Sequence, residues 1–227
     1  MRAVGILGGM GPEATVLLMQ RLIAATPASD DSGHIPLIVH QNPQVPSRIR
    51  HLIEGTGEDP APVLAAMARG LAAAGAAAIA MPCNTAHAYA PAIRAATPLP
   101  FLDMCEAATA RLPKEARVGL LASPAVRLAR VFLPSFRRGD IEAVTLPDDA
   151  PLLALIRRIK TGDTGAEAHA ALRAHADALL DTCDHLLVAC TEFSLVTDAL
   201  AGLPFTDSLD ALVAEIARFA KALPGPG

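Results

Sequence analysis

The chain has no tryptophan, one tyrosine and six phenylalanines, so aromatics are only 3% of it. Stacking on nucleic-acid bases therefore has little material. Basic clusters are missing as well: 19 Lys and Arg stand against 23 Asp and Glu, a net charge of −4, which leaves no electrostatic footprint for nucleic acid. The opening nine residues carry one basic side chain, and glycines with Pro12 interrupt them before a signal-type apolar stretch develops. Residues 70–93 are uncharged, but they are mostly alanine and contain Pro82, Asn84, Thr85, His87 and Pro91, which reads as helix end, strand and turn rather than a membrane span. Cysteine is scarce too, with four residues at 83, 105, 183 and 190 and no CxxC pair. A disulfide framework is not expected, and reduced thiols in a cytoplasm are. These absences leave a globular protein whose expected partner is a small molecule, not a polymer or a membrane.

What is present is a core. In 227 residues, 52% are hydrophobic, enough for one large domain or two small ones. Residues 4–7 form a short apolar strand, and Gly8-Gly9-Met10-Gly11-Pro12 turns into a helix over about residues 13–25. Gly9-x-Gly11-x-x-Ala14 fits the loose dinucleotide fingerprint, but the second strand, residues 35–39, runs into His40-Gln41-Asn42-Pro43 where an acidic ribose ligand belongs. The amides at that helix start can instead bind a carboxylate. A proline-stiffened loop then ends in Arg48, a guanidinium suited to bidentate carboxylate binding, with a merely solvated arginine as the competing reading. A helix over 62–74, a strand over 76–81 and a helix from Ala86 follow.

The pattern restarts near Phe101. Val118-Gly119-Leu120-Leu121-Ala122 echoes Val4-Gly5-Ile6-Leu7-Gly8, and residues 186–190 echo 79–83, with offsets of 114 and 107 residues. Two αβα lobes of one ancestral unit are expected, with βα alternation, mainly parallel sheets and the active site in the cleft between them. The first lobe takes residues 1–98 plus 206–227, the latter carrying a returning helix over 208–222; the second takes 99–205.

Each lobe places a cysteine just beyond a buried strand, Cys83 and Cys190, at the end of a parallel sheet where ligands bind. Two thiols facing one substrate can remove a proton from a carbon beside a carboxylate and return one to the opposite face. A helix N-terminus directly after each strand is expected to favour the thiolate. Buried cysteines more often serve as small hydrophobes, and Cys105 and Cys183, in helical surroundings rather than beyond a strand, are read that way. Cys83, His87 and Cys190 make a poor zinc set for want of a fourth ligand, so no metal is expected, and His87 is read as a hydrogen-bonding partner or cap. Asn84, Thr85, Thr191 and Glu192 offer donors and acceptors around a bound amino acid, or cap their helices. Lys160, one of three lysines, closes a helix and can grip a substrate carboxylate; nothing else in the chain suggests a pyridoxal site.

Taken together, residues 5–15, 42–48, 81–87, 118–122 and Cys190-Thr191-Glu192 resemble, in order, the aspartate/glutamate racemase family of cofactor-independent two-cysteine enzymes. The resemblance implies two pseudo-symmetric lobes, a homodimer, no pyridoxal phosphate or metal, and racemisation of aspartate or glutamate. It assigns acid/base roles to Cys83 and Cys190 and carboxylate binding to Arg48 and Lys160. Asn84, Thr85 and Thr191 hold the α-carboxylate or orient the thiols, while Met10 and Gln44 line the pocket. The chain departs from the family where Ser123-Pro124 replaces a threonine-rich turn and where Ala189 replaces a glycine. Ser123 thus marks the side of the pocket that fixes the substrate side chain. Other superfamily reactions, hydantoin racemisation, maleate isomerisation and malonate decarboxylation, are the alternatives with this fold, and a non-catalytic amino-acid-binding protein is a third reading.

Overall fold

The computed structural model describes residues 1–222; residues 223–227 of the expected first lobe lie outside the described residues. In chain order the first half contains β1 (Val4–Gly8), α1 (Pro12–Ala24), β2 (Leu37–Gln41), α2 (Ala61–Ala73), β3 (Ala78–Ala80), α3 (Ala90–Ala96) and β4 (Phe101–Leu102). The helix α4 (Met104–Thr109) leads to β5 (Arg117–Ala122), α5 (Pro124–Leu128), α6 (Leu133–Gly139), β6 (Glu142–Val144), α7 (Ala150–Lys160) and α8 (Ala166–Leu180). The chain continues through β7 (His185–Ala189), β8 (Phe205–Asp207) and α9 (Ser208–Lys221). Two four-stranded sheets result, ordered β2-β1-β3-β4 and β6-β5-β7-β8, with every pairing parallel. The identical order is the repeat expected from the sequence, with β1 matching β5 and β3 matching β7.

Side-chain alternation explains the layers. On β1, Leu7 faces Leu64, Met67 and Leu71 of α2, while Val4 and Ile6 face Leu18 and Leu22 of α1 and Leu209, Leu212 and Ile216 of α9. In the second lobe, Leu121, Leu186 and Val188 pack against Leu152 and Ile156 of α7 and Leu172 of α8. Val118, Leu120 and Leu187 pack against Ala108, Val126 and Phe136 on the other face.

Two expected boundaries shift. β4 completes the first sheet, pairing Ile79 with Phe101 and Ala80 with Leu102, so that sheet extends past residue 98. Conversely Thr206 and Asp207 pair with β7 in the second sheet, and the return to the first lobe starts with α9. A two-residue strand directly after Pro98-Leu99-Pro100 has too few positions to display a period. Cys183 is also not helical: it sits in the turn between α8 and β7, filling the space above Gly119, where a Cβ would come 2.7 Å from its Sγ.

Candidate active site

The carboxyl ends of β1, β3, β5 and β7 meet between the sheets. A cavity of about 40 Å³ there is lined by Met10 and Arg48 from the loops after β1 and β2, Cys83 and Thr85 after β3, Ser123 after β5, Lys160 and Ile156 of α7, and Cys190 and Glu192 after β7. Ser47 and Ile49 complete the wall. The structure thus brings both expected cysteines to one cavity, a thiol from each lobe.

Tight backbone packing sets the first-lobe wall. Gly9 has φ +96°, and a Cβ there would lie 2.4 Å from the Asn42 carbonyl carbon, so only glycine lets the β1 and β2 loops close on each other. The Gly9 amide donates to Thr15 Oγ1 at 3.0 Å. Arg48 ties the two loops together, donating to the carbonyls of Pro46 at 3.2 Å and Met10 at 3.3 Å, while its buried Nε has no hydrogen-bond partner.

Cys83 is followed by a 3-10 turn, Thr85–Tyr89, and Cys190 by another, Phe193–Leu195, not by the α-helices expected from sequence. Such turns add little to a helix dipole, and side chains take over the electrostatics. The Cys190 Sγ donates to Glu192 Oε2 at 3.0 Å, and Glu192 Oε1 lies 3.1 Å from Lys160 Nζ. Burial first, then the Glu192 carboxylate, push the Cys190 thiol well above its ordinary value against an opposing pull from Lys160. The expected helix-stabilised thiolate is therefore corrected at this residue. Burial works against the charge on Lys160, but Glu192, Cys190 and Cys83 together outweigh it and hold the ammonium above the usual lysine value.

His87 shapes the Cys83 loop from behind. Its Nε2 accepts the Met104 amide at 3.1 Å, which leaves Nδ1 protonated to donate to the Cys83 carbonyl at 2.9 Å. Burial keeps the ring neutral by lowering its pKa. Both ring nitrogens are thus committed to backbone groups. His87, Asp103 and Cys105 do form a tight cluster, but Asp103 caps α4 through the amides of Cys105 and Glu106 and pairs with Arg94, so both its oxygens are already engaged in structural contacts.

Three residues expected in the pocket are placed elsewhere. Gln44 is exposed on its loop. Asn84 is buried and turns its amide to Ser208 at 2.9 Å, fastening the Cys83 loop to the start of α9. Thr191 is buried beside Cys190 and does not line the cavity. Ser123 does, and its hydroxyl, unused as a cap for α5, meets Thr85 Oγ1 across the cleft at 3.1 Å. Ile156 was missed, although it sits one turn before Lys160 on the same helix face; Ser47 and Ile49 flank Arg48 and carried no signal of their own.

The sequence profile of the Asp/Glu/hydantoin racemase family matches residues 7–216. The chain belongs to this family. It is 24% identical over 212 residues to the broad specificity amino-acid racemase RacX of Bacillus subtilis, covering 90% of this chain and 92% of that one. Among solved structures it is similar to the Picrophilus torridus aspartate racemase, with 28% identity, a TM-score of 0.87 and coverage of 97% and 94%. The Francisella tularensis glutamate racemase shares the fold at 16% identity and a TM-score of 0.66, over 96% of this chain and 80% of that one. The two parallel sheets are the two-lobe architecture of this family. No helix among the described residues is long and apolar enough to cross a membrane.

Proposed function

We propose that the protein is a cofactor-independent racemase that interconverts L- and D-aspartate, or glutamate, by two-base proton transfer between Cys83 and Cys190. The observation that carries this reading is one thiol from each lobe on the wall of a single cavity that also holds two cations, Arg48 and Lys160. A thiolate on one side takes the α-proton, the resulting planar carbanion is stabilised by its carboxylate and by the nearby cations, and the opposite thiol supplies a proton. Exchanged protonation states then run the reverse reaction. The guanidinium of Arg48 and the ammonium of Lys160 are assigned to the two carboxylates of an acidic amino acid, and the unpartnered Arg48 Nε supports this.

A void of about 40 Å³ holds only a few waters, so an amino acid enters by widening the cleft. The four free thiols suit a reducing compartment such as the cytoplasm, and a homodimer of twice the chain mass in solution is expected from the sequence resemblance. Incubation of the reduced protein with each enantiomer of aspartate and glutamate, followed by chiral chromatography, tests the reading. Interconversion with solvent deuterium at the α-carbon is expected, and Cys83→Ala is expected to abolish it; full racemisation by that variant would end the two-base mechanism.

A second reading, the same fold acting on another substrate or through another reaction of the superfamily, is favoured by Ser123 on the second-lobe wall and by the likeness to an amino-acid racemase of broad specificity. Neutral amino acids, hydantoins, maleate and malonates belong in the same panel. Turnover of one of these in preference to aspartate and glutamate establishes the second reading over the first.

A further inference from the structure

Glu192 shares the cavity with the two thiols, yet it is an acid in a site proposed to receive an acid. Its two oxygens are already occupied: Oε2 accepts the Cys190 thiol at 3.0 Å and Oε1 faces Lys160 Nζ at 3.1 Å. The Glu192 side chain is only 10% exposed, whereas that of Lys160 is 36% exposed. One carboxylate thus joins the thiol of one loop to the cation of α7. We propose that Glu192 is a positioning residue that fixes the proton on Cys190, making Cys190 the donor and Cys83 the base in the unliganded enzyme.

The assignment of donor and base rests on the racemase reading; the location of the proton does not. A hydrogen bond from Sγ to a carboxylate requires the thiol form, since two anions at that separation repel. Lys160 pairs with the Glu192 carboxylate and pulls the other way on Cys190. The remaining ionisable groups on the cavity wall are Arg48 and Cys83, both from the first lobe. In the first half-reaction Cys83, as thiolate, takes the α-proton and Cys190 gives up its own, leaving a thiol at 83 and a thiolate at 190. The new thiolate faces Glu192, and a substrate carboxylate that draws Lys160 away would increase the repulsion. Reprotonation of Cys190, from solvent or by the reverse reaction, is therefore favoured and resets the enzyme.

Alkylation of the unliganded, reduced protein by iodoacetamide across a pH series, read at Cys190 by peptide mass spectrometry, tests this without any turnover. In Glu192→Gln the midpoint is expected to fall by at least about one pH unit, about tenfold more thiolate at a pH below both midpoints. Glu192→Asp, which keeps the charge, is expected to return the midpoint toward wild type. Lys160→Met is expected to raise it. Opposite shifts from removing the carboxylate and from removing its cation are not produced by loosening the cleft. An unchanged or raised midpoint in Glu192→Gln, or a lowered one in Lys160→Met, overturns the proposal. If Glu192→Gln does not fold, the sign of the Lys160→Met shift decides. The predicted shifts in a wild type that racemises no substrate would support the proton assignment while defeating the proposed function.

Discussion

At the scale of single residues, small side chains decide what the large ones can do. Gly119 is the second-lobe counterpart of Gly5, and a Cβ on it would lie 2.7 Å from Cys183 Sγ and 3.1 Å from both Leu179 Cβ and Leu186 Cδ2. The sulfur of Cys183 is the filler above a strand that must stay bare, so the burial-raised thiol there has a packing role. Gly119→Ala is expected to destabilise the fold by about 1–3 kcal/mol in urea unfolding. Adding Cys183→Ala should recover part of this, because the nearest atom is gone while the two leucines remain. The position of Cys183 in sequence carried no such information, since its neighbour in space is 64 residues away.

At the scale of elements, the segment after β3 is held by hydrogen bonds rather than by a helix. His87 joins the Cys83 carbonyl to the start of α4 as a neutral ring, and its buried site depresses its pKa. The unfolded chain therefore binds a proton near the ordinary value of about 6.5 that the folded protein refuses. Stability from this ring is complete above that pH and is lost as pH falls below it, by up to about 1.4 kcal/mol per pH unit until the folded pKa is reached. Chemical denaturation of wild type and His87→Gln between pH 7.5 and 5.5 (about one unit either side of the ordinary value) checks this: the variant should start less stable and show the shallower decline. His175 and His185, also lowered by burial, contribute the same slope to both proteins. Sequence spacing placed His87 as a hydrogen-bonding residue, but its partner at Met104 follows from β4, the element too short to be read.

At the scale of the whole molecule, the lobes are joined by more than the α9 return. Arg21 of α1 reaches Asp207 at 2.6 Å and the Ser194 carbonyl at 2.6 Å, linking the first lobe to the end of the second sheet. Asp207 is fully buried, and burial raises its carboxyl despite the opposing Arg21. Removing the arginine leaves that charge without its partner. Arg21→Met is expected to cost about 3–5 kcal/mol in urea unfolding, and Arg21→Met with Asp207→Asn to recover a large part, because the stranded charge is then absent. The same linkage bears on the proposed function, since the cleft proposed to admit substrate lies between the lobes that Arg21 joins.

What the sequence determined by itself is the framework: apolar strands, alternating with helices and repeated at similar offsets, demand two parallel sheets, and the residues just past two of those strands must lie at the ligand-binding end. Cys83, Cys190, Arg48 and Lys160 could be named because each ends a legible element. Tertiary structure alone decided which neighbours those residues have. Gln44 and Thr191 follow the family pattern yet do not line the cavity, Asn84 turns to Ser208, and Glu192 bridges Cys190 and Lys160. The reason is physical: chain spacing specifies the side of a strand or helix on which a residue falls, whereas the charge state of a thiol depends on burial and on how side chains such as Glu192 and Lys160 are turned toward it in space.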